Sequence, residues 1–158
     1  MSRIYGSDIL AKVVSIMEEG RLFNDVVKNY SDILDEVALE RGFELEHLLS
    51  VSIDYMKNQY PEACIRLGDS EMIDEELSLD IDNTGEVYPV DVMVMLIDIE
   101  EIYSKQECYI EALQKLFYGY TDDDITYIIC ERTIRGRAYN EQEQIFKVMG
   151  VSLKIRIQ

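Results

Sequence analysis

Seven carboxylates crowd the fourteen residues "DSEMIDEELSLDID": Asp69, Glu71, Asp74, Glu75, Glu76, Asp80 and Asp82. Carboxylates at this density can hold a pair of divalent ions, the arrangement that drives in-line displacement at phosphorus. That chemistry also asks for a base and for a group that steadies the leaving oxygen, and the stretch contains neither lysine nor histidine. Runs of like charge are more often solvated faces, and as a face this one suits the lysines and arginines of another protein.

The stretch continues into "DIDNTGEVYPVD", where Asp80, Asp82 and Thr84 fall on positions 1, 3 and 5 of a calcium-loop spacing, Gly85 on 6, Val87 on 8 and Asp91 on 12. Threonine is a weak ligand at position 5, aspartate replaces the bidentate glutamate at 12, and Pro89 stiffens the loop. Upstream, Leu77, Leu79 and Ile81 alternate with polar neighbours, which predicts a strand where the calcium motif needs a helix. A hairpin turn is therefore expected. No metal and no cofactor are expected, and Asp80, Asp82 and Asp91 are the weak alternative ligand set.

Other reactive side chains are isolated. His47 is the single histidine, so neither a triad nor a metal pair can be built around it. Cys64, Cys108 and Cys130 are odd in number, far apart and set among apolar neighbours, as small core residues are. No glycine-rich phosphate loop or nucleophile elbow occurs. The expectation is a protein without catalytic residues.

Charge narrows the partners. The 158 residues carry 32 acids and 15 bases, a formal net charge of −17. Residues 1–124 hold 29 of the acids and 9 of the bases, whereas residues 125–158 hold 3 and 6. A field of this sign repels nucleic acid and anionic membrane and attracts basic proteins. Eleven tyrosines, several near element ends, would supply amphipathic interface anchors, and self-association is compatible with them. The amino-terminal apolar run is broken by Lys12 and Ser15 and lacks a small-residue cleavage site, and no run reaches membrane-spanning length. A cytoplasmic protein is expected.

The elements that must position these groups are read from periodicity. Apolar steps of three and four predict helices from Ser7 to Gly20, from Leu22 to Gly42 and from Glu44 to Gln59. "CIRLG" and "EVYPVDVMVMLIDI" read as strands, the second central because Val92 to Ile97 is continuously apolar. Ser104 with Glu107 suggests a capping box for a helix ending near Gly119, Thr121 a cap for a helix with Ile125, Ile128 and Ile129 inward, and Asn140 with Glu143 a third start closed by Gly150. Acids at 122–124 and arginines at 132 and 135 would match the dipole of the middle one. Val151, Leu153, Ile155 and Ile157 alternate with polar residues as a final strand.

The two capped segments between Thr121 and Gly150 resemble a generic helix-turn-helix of the kind at the DNA-reading end of bacterial sigma-type regulators. That resemblance covers some thirty residues and departs from the motif in its longer turn "GRAYN". It implies a DNA-contacting alternative through Arg135, Arg137 and Lys154.

The fold expected is α+β: an N-terminal three-helix group, a mainly antiparallel sheet with a hairpin and a C-terminal strand, and further helices between. A single domain is expected over residues 1–158, helical to residue 60 and mixed from 61 onward. Functionally, the composition points to a small acidic non-enzymatic protein whose carboxylate-rich face occupies a basic, nucleic-acid-binding protein surface. Immunity proteins, antitoxin-like inhibitors and phage anti-defence proteins occupy that niche, in which carboxylates stand in for phosphate.

Overall fold

The computed structural model describes residues 6–68, 87–97, 99–139 and 142–157. Among the described residues, three helices and a five-stranded sheet give an α+β architecture, and a two-stranded hairpin stands apart from the sheet. The elements in chain order are α1 (Gly6–Glu19), β1 (Arg21–Phe23), β2 (Val26–Lys28), α2 (Tyr30–Arg41), β3 (Ser50–Ile53), β4 (Glu62–Leu67), β5 (Val87–Ile97), α3 (Ile102–Phe117), β6 (Ile125–Tyr139) and β7 (Ile145–Ile157). The strand order is β3-β4-β5-β7-β6, with β3 and β4 parallel and every other pair antiparallel.

Helix α1 forms where the periodicity places it, burying Ile9, Leu10, Val13, Ile16 and Met17. Gly20 ends it at φ 92°, in a spot where a Cβ would lie 2.5 Å from the Lys28 carbonyl oxygen. Only glycine lets the chain turn there so close to the next strand.

The predicted helix from Leu22 is half wrong. Asn24 and Asp25, at φ 46° and 70°, make a two-residue turn between β1 and β2. Short polar side chains tolerate that left-handed pair, and the turn twists the flanking strands correctly for a hairpin. Asn29 then caps α2: its side chain accepts from the Asp32 amide at 2.9 Å while Asp32 accepts from the Asn29 amide at 3.0 Å. From Tyr30 onward the predicted apolar face is buried as read, through Ile33, Leu34, Val37 and Ala38, and Gly42 closes the helix in the left-handed region.

The third N-terminal helix does not form. Residues 43–49 are irregular and "SVSI" is the edge strand β3, so the three-helix group is two helices and a hairpin. Both segments read as helices between Thr121 and Gly150 are also strands, β6 and the first half of β7. Their spacing misleads for a physical reason. A register shift between Ile125 and Tyr127 inserts one residue, so Ile125 and Ile128 both face the core although three apart. Phe146 and Met149 are three apart because they are buried on opposite faces of the sheet.

The large core lies between the helices and one sheet face, where Val90, Val92, Val94, Val151, Leu153 and Ile155 meet Leu113, Leu116 and Phe117 of α3 and the buried side of α1. A smaller cluster of Cys64, Met95 and Phe146 sits on the other face under Met56 and Tyr60. Central β5, expected from its apolar run, is flanked by β4 and β7. At Gly150 the strands approach so closely that a Cβ would overlap the Val92 carbonyl oxygen. No helix among the described residues is long and apolar enough to cross a membrane.

Candidate functional site

The acidic segment is inserted between two neighbouring antiparallel strands. β4 ends beside the start of β5, with Leu67 opposite Val90 and the Gly68 amide donating to the Pro89 carbonyl at 2.8 Å. The chain between carries eight carboxylates and no base from Asp69 to Glu86. Asp69, Glu71, Asp74, Glu75, Glu76, Asp80 and Asp82, with the first arm of the expected hairpin, lie outside the described residues. Both points at which the segment joins the sheet are fixed.

Asp91, the last residue of the calcium spacing, is not in a loop. It stands in the middle of β5 opposite Ser152 of β7, whose hydroxyl donates to its Oδ1 at 2.6 Å. Arg132 of β6 donates to the same Ser152 oxygen at 3.3 Å. The three side chains form a polar row across β5, β7 and β6, on the face away from α1 and α3. Val87 is likewise a strand residue, so the second half of the calcium spacing is sheet rather than loop. Asp91 of the weak ligand set is thus a strand residue whose carboxylate accepts from Ser152.

The three cations of the DNA-contacting alternative are not gathered on one surface. Arg135 faces α3, where its Nε and one terminal nitrogen hold both oxygens of Glu107 at 2.8 and 2.7 Å. It also donates to the Thr133 hydroxyl. Those hydrogen bonds hold the Glu107 carboxyl below its usual range and raise the guanidinium further. Arg137 lies two residues along β6 on the same side, opposite Lys147. Lys154 points to the opposite face and pairs with Glu131 at 3.2 Å. With strands in place of both helices, the helix-turn-helix resemblance fails, and with it the helix-dipole reason for the arginines.

Glu107 also replaces the expected capping box. Helix α3 starts at Ile102, two residues before Ser104, after Glu101 in the left-handed region with no side-chain cap. This frees Glu107 to reach Arg135, and one turn later Glu111 Oε1 accepts from Arg41 at 3.0 Å. Two like charges four residues apart on α3 are thus each neutralised, one from α2 and one from β6. A cleft of 420 Å³ runs between these pairs. Its thiol, Cys108, is buried, and burial pushes it up, as it does Cys64 and Cys130. A thiol held protonated is a poor nucleophile.

Several other charges of the body are also paired locally. Lys12 of α1 reaches Asp122 at 2.5 Å and Asp124 at 3.4 Å, Lys28 reaches Glu36 at 2.7 Å, and exposed His47 shares a hydrogen bond with Asp35 at 2.7 Å. Asp122 was expected in a helix's first turn. It instead folds a loop back on itself, accepting from the amides of Asp124 and Ile125 at 2.8 Å each. Residues 69–86 hold eight acids and no base, and the rest of the chain 24 acids and 15 bases, so uncompensated charge is densest in that run.

Sequence reasoning missed the β1–β2 hairpin as a surface feature. Leu22, Val26 and Val27 are 64%, 54% and 58% exposed on it. The signal was present in "FND", a polar pair able to turn left-handed between two short apolar runs. Among known proteins, no family model matches the chain and no curated protein is significantly similar to it.

Proposed function

We propose that the protein is a small acidic binding protein, without catalytic activity, that occupies a basic surface on another protein and so regulates or inhibits it. The observation that carries this reading is the base-free run of eight carboxylates between Asp69 and Glu86, joined at both ends to adjacent strands. Tethered ends limit where the run can go and reduce the entropy that binding has to overcome. Carboxylates spaced along a chain resemble a phosphodiester in charge, so a nucleic-acid-binding face is the surface most suited to them. The density of the run supports the same assignment: its eight acids in 18 residues meet no base, whereas the 24 acids elsewhere are interspersed with 15 bases.

The test is replacement of Asp69, Glu71, Asp74, Glu75, Glu76, Asp80 and Asp82 by their amides. Retention of a basic protein partner at low salt is expected to be lost, with thermal unfolding unchanged. An unchanged partner set, or an association rate that does not fall as salt rises, refutes the reading.

A further inference from the structure

We infer that the β1–β2 hairpin is an apolar anchor that seats in a groove of the partner protein, a groove lined by aliphatic side chains and flanked by lysine or arginine. The inference rests on the reading of a basic protein partner and adds the surface that recognises shape. Leu22 and Val27 are cross-strand neighbours on the hairpin's outer side, whereas Val26, opposite Phe23, belongs to the other side next to the turn. Leu22 and Val27, 64% and 58% exposed, contribute little to the core and together form the apolar knob on that outer side. Beyond the hairpin, Leu39 is 84% exposed on α2, three residues after Glu36, which is tied to Lys28 of β2.

The knob is held rigidly. An isolated two-stranded hairpin is marginal in water. This one is clamped by Arg21, which donates to the carbonyls of Leu116 at 3.1 Å and Tyr118 at 2.8 Å at the end of α3 and stacks on Phe23 at 4.5 Å. The inner side chains Arg21, Phe23 and Lys28 face a cavity of 680 Å³ against α2 and α3, so the outer ones are left to solvent. Behind the hairpin, the Asn29 amide group donates to the Glu18 carbonyl at 3.2 Å. Rigidity in the presented conformation is what lets a few apolar residues carry binding.

Charge selects the occupant. Glu18 at the end of α1 and Asp25 in the turn are exposed and have no ion pair among the described residues. Both nearby cations, Arg21 and Lys28, are engaged by α3 carbonyls and by Glu36. An apolar centre with an acidic rim fits a groove with a cationic rim.

The test uses the full chain with a photo-crosslinking residue at Val27, and in a control at Tyr139, exposed at the far end of β6, followed by sequencing of the crosslinked peptide. The expected adduct forms at Val27 only, on a partner peptide in which aliphatic residues neighbour lysine or arginine, and falls about tenfold when Leu22→Ser is added. Leu22 is exposed, so the variant keeps the fold, which circular dichroism checks. Overturning results are an adduct to a second copy of this chain, an adduct to a site without cations, or no adduct. Capture that disappears at high salt but ignores Leu22→Ser overturns the anchor and leaves the charge-steered reading standing. Capture that resists salt yet needs Leu22 does the reverse.

Discussion

Arg135 on β6 grips both carboxylate oxygens of Glu107 on α3, at 2.8 and 2.7 Å, and so ties the edge of the sheet to the middle of a helix. Both side chains are about half exposed, which screens the pair and limits its contribution to no more than about 1 kcal/mol. Glu107→Gln should lower the urea midpoint only slightly at neutral pH. Because the folded carboxyl lies below its usual value of 4.5, the pair's contribution is present above that pH and lost as pH falls through the folded value. The acid limb of a stability-against-pH curve should therefore be shallower in Glu107→Gln than in the parent.

Gly150 and Gly136 lie on the two strands of the same hairpin and should respond in opposite ways. A Cβ at Gly150 overlaps the Val92 carbonyl oxygen, whereas one at Gly136 meets nothing within 4 Å. Gly150→Ala must separate β7 from β5 at the centre of the sheet and should cost roughly 2–4 kcal/mol. Gly136→Ala should stay within about 0.5 kcal/mol of the parent. Chemical denaturation of the two variants decides this.

Tyr30 is fully buried, and its hydroxyl donates to the Tyr109 carbonyl at 2.9 Å, joining α2 to α3. Tyr30→Phe leaves that carbonyl without its side-chain donor and should cost about 1–2 kcal/mol. Burial, with lesser contributions from Tyr109 and Cys108, holds the Tyr30 phenol far above its ordinary 10.0. Its ionised form is disfavoured only in the folded state, so stability is intact below pH 10.0 and declines above it. Phenolate absorbance should show Tyr30 ionising together with alkaline unfolding rather than before it.

Asn29 sets where α2 begins. Asn29→Ala removes both its acceptance from the Asp32 amide and its donation to the Glu18 carbonyl, and should cost about 1–2 kcal/mol in thermal or urea unfolding. Asn29→Asp keeps the cap and should recover part of the loss.

What the sequence made legible depended on whether one period governed a segment. The carboxyl-terminal strand, α1 and α2 from Tyr30 were readable because each repeats one apolar face, and central β5 because its apolar run is continuous and packs on both faces. β6 was not, because its inserted residue turns alternation into a spacing of three at Ile125 and Ile128. The start of β7 was hidden by burial on both faces, at Phe146 and Met149. Glu107 illustrates the limit for sites. A plausible helix cap in one dimension, it is in fact the partner of a residue 28 positions away. The acidic run needed no structure to be seen, since composition alone reveals it.

The hydrogen bond from Gly68 to Pro89 closes the sheet immediately before the acidic run departs. The two strands that carry the run already meet there, so its ends leave the sheet side by side. Substitution within the run can thus change nearly half of the molecule's net charge without altering a residue of the β4–β5 pairing.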